Sequence, residues 1–237
     1  MLLDKTVAVV VPAYNEEKQI RHVLETMPDF VDRIIVVNDC SSDDTASVVL
    51  DYVRKQTSSP TIIKNNAGDH CDNKYSRADN LLKEKRRTDM QYFIPSEIAN
   101  ANPETDRIIL INNLKNGGVG AAIARGYKWC LDHNIECTAS MDGDGQMDPA
   151  ELESICLPIV SEEVDCVKGN RLIHGSAPMV IPKTRYLGNA ILSILTKIAS
   201  GYWHISDTQC GYRALSPAAL TSIKLPDIYK SYGMPND

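Results

Sequence analysis

The 237-residue sequence predicts an α/β fold in which a mostly parallel, Rossmann-like sheet is flanked by helices within a single domain. One observation is a series of short, almost wholly apolar runs rich in β-branched residues, which are typical of parallel strands buried on both faces. A second is that such runs lead into a polar turn and then into residues with helical apolar spacing. A third is the hydrophobic content of 43%, enough for one substantial core.

The first strand–helix unit lies at the N-terminus. Residues 7–11 form an apolar run that stops at Pro12, which predicts a buried strand. Asn15 is predicted to cap the following helix, because its side chain can accept a hydrogen bond from a free N–H group of the first turn. The apolar residues expected on the buried side of that helix are Ile20, Val23, Leu24 and Met27.

Later units repeat this pattern. The predicted strands cover residues 34–37, 108–111, 136–141 and 164–168. The predicted helices cover residues 45–53 and 121–131, and Asp148 and Pro149 open one more. Polar residues follow the ends of these strands, and parallel sheets bind ligands beyond the carboxyl ends of their strands. We therefore expect polar motifs that are distant in sequence to meet at one edge of the sheet.

One region does not follow the pattern. Residues 65–106 are polar and include the charge run 83–87, with little apolar periodicity, so we interpret them as an inserted surface excursion. The single domain is expected to comprise residues 1–237, interrupted by this insertion.

Composition argues against several classes of function. A net charge of −6 disfavours a nucleic-acid partner, which would require a surplus of Lys and Arg. Seven cysteines without a CxxC pair fit neither a zinc site nor a disulfide framework, which favours a reducing cytosol. The N-terminus lacks the features of a signal peptide. No apolar run approaches the roughly 20 residues that span a bilayer, because the best candidate, residues 191–198, is short and contains Lys197.

An acidic cluster follows the predicted strand 136–141. Asp142 and Asp144 are two residues apart, so in an extended segment both side chains point the same way, and Gln146 adds an amide oxygen two residues later. Mg²⁺ and Mn²⁺ prefer such oxygen ligands. Asp and Gly are also ordinary turn formers, but the position directly after a buried strand favours a metal site that binds a diphosphate.

Six motifs occur in the same order as in a known family. They are residues 12–16, 38–43, 116–120, 142–146, 169–171 and 207–213. Together they resemble family 2 glycosyltransferases of the GT-A fold, most closely the polyprenyl-phosphate (dolichol-phosphate) mannosyl- and glucosyltransferases. The resemblance spans nearly the whole chain except residues 65–106. Such relatives continue beyond the point that corresponds to Asp237, so the resemblance implies that this chain is truncated.

The resemblance also implies roles for individual residues. Asp144 and Gln146 would be ligands of Mg²⁺ or Mn²⁺, and Asp142, Asp144 and Asp207 would be catalytic. Tyr14 would lie beside the base or ribose, and Asp39 would accept a hydrogen bond from the base. For Asn15 and Ser42 we favour a capping role. The full set implied to bind the nucleotide sugar is Pro12, Tyr14, Glu16, Val37, Asp39, Asn116, Asp142, Gly143 and Arg171.

The acceptor defines the remaining roles. A polyprenyl phosphate is already an anionic nucleophile, so it requires cations for positioning, and Arg185 and Arg213 would supply them. A sugar hydroxyl would instead require a general base, for which Asp207 or Asp237 would be the candidate. Leu192, Ile194, Leu195 and Ile198 give the helix that follows Arg185 an apolar surface, which either contacts a membrane or packs in the core.

The resemblance thus implies a metal-dependent, inverting transfer of a hexose from a UDP- or GDP-sugar to a polyprenyl phosphate. The enzyme would be cytoplasmic and peripheral at the inner face of the membrane. Transfer to a glycan hydroxyl or to a small phosphorylated acceptor is the alternative. A nucleotidyltransferase would require a glycine-rich basic loop after the first strand, which residues 12–16 lack. An inactive nucleotide-binding domain would be expected to lack the carboxylates of Asp142 and Asp144.

Overall fold

The computed structural model describes residues 1–56, 81, 84, 88–170, 183–201, 203, 207 and 210–228. Seven strands of these residues form one sheet with the order β3-β4-β2-β1-β5-β7-β6. The strands are β1 (Val7–Ala13), β2 (Arg33–Asn38), β3 (Ser96–Ile98), β4 (Ile108–Asn113), β5 (Cys137–Ser140), β6 (Cys166–Lys168) and β7 (Arg213–Leu215). The helices are α1 (Ile20–Glu25), α2 (Thr45–Gln56), α3 (Val119–Asp132), α4 (Leu152–Val160), α5 (Lys183–Ser200) and α6 (Pro217–Ser222).

The sheet is mostly parallel, as predicted. Strand β1 pairs in parallel with both β2 and β5, and β2 pairs in parallel with β4. Strand β3 is antiparallel to β4, and β7 lies antiparallel between β5 and β6. The predicted α/β fold, in which helices flank one mostly parallel sheet, is therefore confirmed.

The two faces of the sheet pack against different helices. Val7, Val9 and Val11 point into a cluster with α1 and α4, whereas Ala8 and Val10 point into a second cluster with α3. All five side chains are fully buried, which explains why the strand has no alternating pattern. Burying a valine contributes about 1.5–3 kcal/mol, so the central strands provide much of the driving force for folding.

Helix α1 begins later than predicted, at Ile20. Asn15 does not cap it, because Asn15 adopts a left-handed backbone conformation with φ of 58° and its side chain accepts hydrogen bonds from Ser42. Ser42 in turn does not cap α2. That role falls to the neighbouring Asp43, whose carboxylate accepts from the N–H of Thr45. The capping roles expected for Asn15 and Ser42 were therefore wrong.

The predicted insertion, residues 65–106, includes a short strand. Within it, β3 adds to the edge of the sheet beside β4. The Asn100 side chain donates to Asp106 and to the Ile108 carbonyl, and accepts from the Leu110 N–H. This stretch therefore contributes an edge strand whose residues are half-buried or exposed, and the interpretation of residues 65–106 as an insertion remains a prediction. Most of the charge run 83–87 lies outside the described residues.

Candidate active site

The carboxyl ends of β1, β2, β4 and β5 meet at one edge of the sheet. Ala13 lies opposite Asn38, and Asn38 lies opposite Asn112, so three strands end side by side. The Met141 N–H donates to the Val10 carbonyl at 3.0 Å, which brings the segment after β5 beside β1. The expected convergence of distant polar motifs is thus observed, and we call this region the site edge.

The loop after β1 is held by the loop after β2. The Asn15 N–H donates to Ser41 Oγ, the Glu16 N–H to Thr45 Oγ1, and the Glu17 N–H to the Asp43 carboxylate. These contacts satisfy three consecutive backbone donors that no strand or helix pairs. The loop is thereby fixed in front of the site edge, with Tyr14 half exposed at its start.

Asp39 is 3% exposed, and its carboxylate is extensively hydrogen-bonded within the protein. It accepts from Asn113 Nδ2 at 2.7 Å and from the N–H groups of Gly117 and Gly118 at 2.7–3.1 Å. Gly118 has φ of 86°, a conformation that disfavours residues with a Cβ. Asp39 therefore joins the end of β2 to the turn that begins α3. Its expected contact with the nucleotide base remains a prediction.

The acidic cluster forms a tight turn after β5. The Gln146 N–H donates to Asp144 Oδ1 at 2.9 Å, and Gly145 between them has φ of 73°. A Cβ added to Gly143 would lie 2.9 Å from the Pro12 carbonyl oxygen, so this segment passes very close to the end of β1. The turn thus holds Asp142 and Asp144 beside the loop that carries Glu16.

Negative charge accumulates at this point. The pKa of Glu16 is raised, first by partial burial and then by the carboxylates of Asp144, Asp43 and Asp142. Repulsion among neighbouring carboxylates is relieved by protonation or by a bound cation. A cation bound near Asp144 would therefore reduce the repulsion that these carboxylates exert on Glu16.

The donor set fits a metal that is shared with a substrate. Within the part of the chain that the structure describes, no group of three or more His, Cys, Asp or Glu side chains is arranged to hold a metal ion. Mg²⁺ is commonly bound by one or two carboxylates together with substrate phosphates and water. Asp144 and Gln146 suit that role, because their side chains provide carboxylate and amide oxygens while the diphosphate would provide the rest.

The opposite wall of the site comes from β6 and the segment before β7. Ser140 Oγ donates to the Gly211 carbonyl, and a Cβ added to Gly211 would lie 3.5 Å from Asp142 Oδ2. The Gly169 N–H donates to the Tyr212 carbonyl at 2.8 Å. The motif 207–213 therefore lies beside Asp142 and also contacts Gly169, and its Asp207 is 1% exposed.

Two cations lie side by side at this wall. Arg213 is aligned with Ser140 on one side and with Lys168 on the other. The pKa of Lys168 is lowered to about 8, by burial first and by the charge of Arg213 second, while Asp207 acts in the opposite direction. Sequence reasoning missed Lys168, whose position just before Gly169 could have drawn attention to it.

The remaining predicted site residues differ in how they could reach a bound nucleotide. Val37 is fully buried in the core, so its backbone alone could contact a nucleotide, whereas Asn116 is exposed on the turn before α3. Pro12 lines the site edge through its carbonyl group. Arg171 and Asp237 lie outside the described residues, as does the side chain of Arg185.

Helix α5 carries an exposed apolar surface. Leu187, Ile191, Ile194, Leu195 and Ile198 are each at least 50% exposed, and their spacing places them along one side of the helix. Leu192 is 41% exposed. The alternative of a core-facing helix is therefore wrong for these residues. None of the described helices combines the length and hydropathy that crossing a bilayer requires.

Comparison of the sequence with known protein families gives one match that covers most of the chain. The sequence profile of glycosyl transferase family 2 matches residues 8–72 and 94–223, which is most of the chain. The chain belongs to glycosyl transferase family 2. The family membership predicted from the six motifs is confirmed, and the glycosyltransferase carries its acidic turn where the fold gathers the polar ends of its strands.

Two relatives of this glycosyltransferase have names that refer to dolichyl phosphate. It is 27% identical over 220 residues to a UDP-N-acetylglucosamine–dolichyl-phosphate N-acetylglucosaminyltransferase of Methanococcus voltae, covering 92% of this chain and 72% of the relative. It is also 27% identical over 227 residues to a dolichyl-phosphate beta-glucosyltransferase of Trichomonas vaginalis, covering 89% of this chain and 51% of that protein.

Solved structures share the fold at lower sequence identity. Glucosyl-3-phosphoglycerate synthase from Mycobacterium tuberculosis, crystallised with Mn²⁺ and UDP-glucose, superposes with a TM-score of 0.57 at 17% identity. The superposition covers 98% of this chain and 62% of the synthase. The glycosyltransferase therefore spans about half to three quarters of the length of these relatives.

Proposed function

We propose that this glycosyltransferase moves a hexose from a UDP- or GDP-sugar to a polyprenyl phosphate in a metal-dependent, inverting reaction. The observation that carries the proposal is the meeting of the acidic turn 142–146 with a wall that presents two cations, Lys168 and Arg213. An anionic donor held through a metal and an anionic acceptor held by cations require those two environments side by side. The dolichyl phosphate in the names of two relatives supports the same acceptor class.

In the proposed reaction the residues of the chain bind and orient two anionic substrates. Asp142, with the close approach at Gly143, would contact the ribose and diphosphate, and Asp144 and Gln146 would hold Mg²⁺ or Mn²⁺. When bound, that cation supplies neutralisation of the negative charge that develops on the departing nucleotide. Arg213 would position the acceptor phosphate, together with Arg185. A phosphate is ionised at neutral pH, so no general base is needed. The buried Asp207 would then act only through its negative charge, which faces Lys168.

The apolar side of α5 supports a location at a membrane surface. We propose that Leu187, Ile191, Ile194, Leu195 and Ile198 contact the cytoplasmic leaflet, from which a polyprenyl phosphate presents its headgroup. This helix begins at Lys183 and includes Arg185, which is expected to bind the acceptor phosphate. A peripheral position at the inner face of the membrane follows from this proposal.

Replacing Asp144 tests the proposal. Transfer of labelled sugar from UDP- and GDP-hexoses to a short polyprenyl phosphate is measured with Mn²⁺, with Mg²⁺ and with EDTA. Asp144→Ala should lower kcat/KM by about 100-fold or more, since it removes a charge that holds the metal. Asp29→Ala, an exposed carboxylate at the opposite end of the sheet, serves as the control and should leave activity unchanged.

The outcomes separate the alternatives. Activity that persists in EDTA and survives Asp144→Ala would contradict the metal-dependent mechanism. Transfer to a small phosphorylated acceptor or to a glycan hydroxyl, with none to polyprenyl phosphate, would contradict the acceptor. Thermal unfolding with a series of UDP- and GDP-sugars identifies the donor, because the ligand that binds the folded state most tightly raises Tm most.

A further inference from the structure

Lys168 lies at the wall of the site but belongs to none of the residues that the motifs assign. It is the last residue of β6, which runs parallel to β5 and so ends at the site edge. Residues aligned on neighbouring strands point to the same face of a sheet. Lys168, Arg213 and Ser140 therefore project side by side, on the face that carries Val10 and α3.

The guanidinium group of Arg213 is incompletely paired. Its Nε and Nη2 atoms are buried and have no hydrogen-bond partner among the described residues. The hydroxyl of Tyr127, on the neighbouring helix α3, lies buried close to Arg213 and Ser140. Buried donors of this kind normally have an acceptor, since leaving one unsatisfied costs about 1–3 kcal/mol. The orphaned nitrogen atoms of Arg213 therefore point to a ligand that accepts hydrogen bonds.

The charges identify that ligand as an anion. Like charges directly opposite each other on neighbouring strands are destabilising, and Lys168 and Arg213 form such a pair. The groups of the described residues that act on the Lys168 ammonium are Arg213, Asp207, Cys210 and Cys166. Of these, Asp207 alone is a carboxylate, so two positive charges face one negative charge.

We infer that Lys168 and Arg213 together form the seat for the phosphate of the acceptor, with Lys168 as a substrate-binding residue. The inference rests on the proposed function, since it takes the acceptor to be a phosphate monoester. A guanidinium fork and an ammonium suit its oxygens, with Arg213 giving directional hydrogen bonds and Lys168 a point charge. The donor diphosphate would lie at the acidic turn 142–146, so Asp142 would separate it from the acceptor phosphate at Lys168 and Arg213.

The lowered pKa of Lys168 gives the seat a pH dependence. A lysine with a pKa of about 8 is charged below that pH and loses its charge as the pH rises through it. The bound phosphate would raise the pKa again, so acceptor binding should weaken above about pH 8. An arginine at this position would stay charged throughout that range.

The test uses farnesyl phosphate as a short acceptor and farnesol as its uncharged counterpart. Lys168→Met should raise KM for farnesyl phosphate about tenfold to a hundredfold, the loss expected for one charge-assisted hydrogen bond. The kcat value, the Kd of the donor and inhibition by farnesol should change little. Lys168→Arg should restore KM and make it independent of pH up to about pH 9.5, unlike the wild type. Lys224→Met, at an exposed lysine, is the control.

The results distinguish this inference from the proposed function. Absence of transfer to any polyprenyl phosphate by the wild-type protein would overturn both. Transfer by the wild type with an unchanged KM for farnesyl phosphate in Lys168→Met would overturn the inference alone. An equal loss of donor affinity would also overturn it, because Lys168 would then act on the nucleotide sugar. If Lys168→Met does not fold, the same comparison is made with Lys168→Gln, for which an unchanged KM for farnesyl phosphate would overturn the inference.

Discussion

At the scale of single residues, this site depends on how closely chain segments approach one another. Asp39 illustrates the point, because its carboxylate joins β2 to the turn before α3 through three donors. Glu16 illustrates another, since the pKa of its carboxyl group is raised by partial burial and then by the carboxylates of Asp144, Asp43 and Asp142, which belong to other segments of the chain. The sequence identifies these residues as polar and placed after strands, but their partners are 74 to 79 positions away for Asp39.

Gly143 permits the closest of these approaches. Gly143→Ala would place a Cβ 2.9 Å from the Pro12 carbonyl oxygen, and backbone cannot move aside as a flexible side chain could. We expect a loss of about 1–3 kcal/mol in the free energy of unfolding and a raised KM for the donor, because Asp142 and Asp144 would shift. Urea denaturation and donor kinetics measure the two effects.

Gly188→Ala is the matched control for that change. Gly188 lies in α5 with no atom within 4 Å of an added Cβ, so alanine should stabilise the helix by about 0.5–1 kcal/mol. Equal stability of the wild type and Gly143→Ala would contradict the close approach at Pro12.

At the scale of elements, the edge strand β3 and the antiparallel strand β7 complete the sheet. Each has only three residues, too few for a periodic pattern to reveal. Arg33, 6% exposed, helps to secure the edge by donating from its guanidinium group to the carbonyls of Glu104 and Asp106. The segment that leads from β3 into β4 is therefore held by side chains rather than by its own apolar content.

Asn100 is the main contact in that segment. Asn100→Ala would remove three hydrogen bonds, to Asp106, Ile108 and Leu110, and leave the Leu110 N–H without its acceptor. We expect the free energy of unfolding to fall by about 1–3 kcal/mol, measured by urea denaturation. Asn102→Ala, at an exposed position two residues away, should change it by less than about 0.5 kcal/mol. Similar losses in both variants would show that Asn100 has no special role.

At the scale of the whole molecule, the net charge weakens binding to an anionic membrane, whereas the exposed apolar surface strengthens it. The net charge of −6 repels anionic lipids, so we expect apolar contact by α5 to provide the attachment. Binding to vesicles should then depend weakly on salt, in contrast to proteins that bind through basic patches.

Two substitutions on α5 test this attachment. Ile191→Asn combined with Leu195→Asn should reduce co-sedimentation with phosphatidylcholine vesicles containing polyprenyl phosphate by at least about tenfold, because two apolar anchors are lost. Binding of the nucleotide sugar should not change. Leu157→Asn, an exposed leucine on α4, is the control. Unchanged vesicle binding in the double variant would exclude α5 as the membrane contact.

The sequence by itself determined the α/β fold, the four central parallel strands, the family and the acidic turn. Those features are local, because apolar runs and the residues 142–146 are readable from neighbours in the chain. The tertiary structure alone decided that Asn15 and Ser42 bind each other, that β3 and β7 join the sheet, and that Lys168 stands beside Arg213. The physical reason is that hydrogen-bond partners and charge pairs between distant segments depend on strand order and register, which short patterns do not encode.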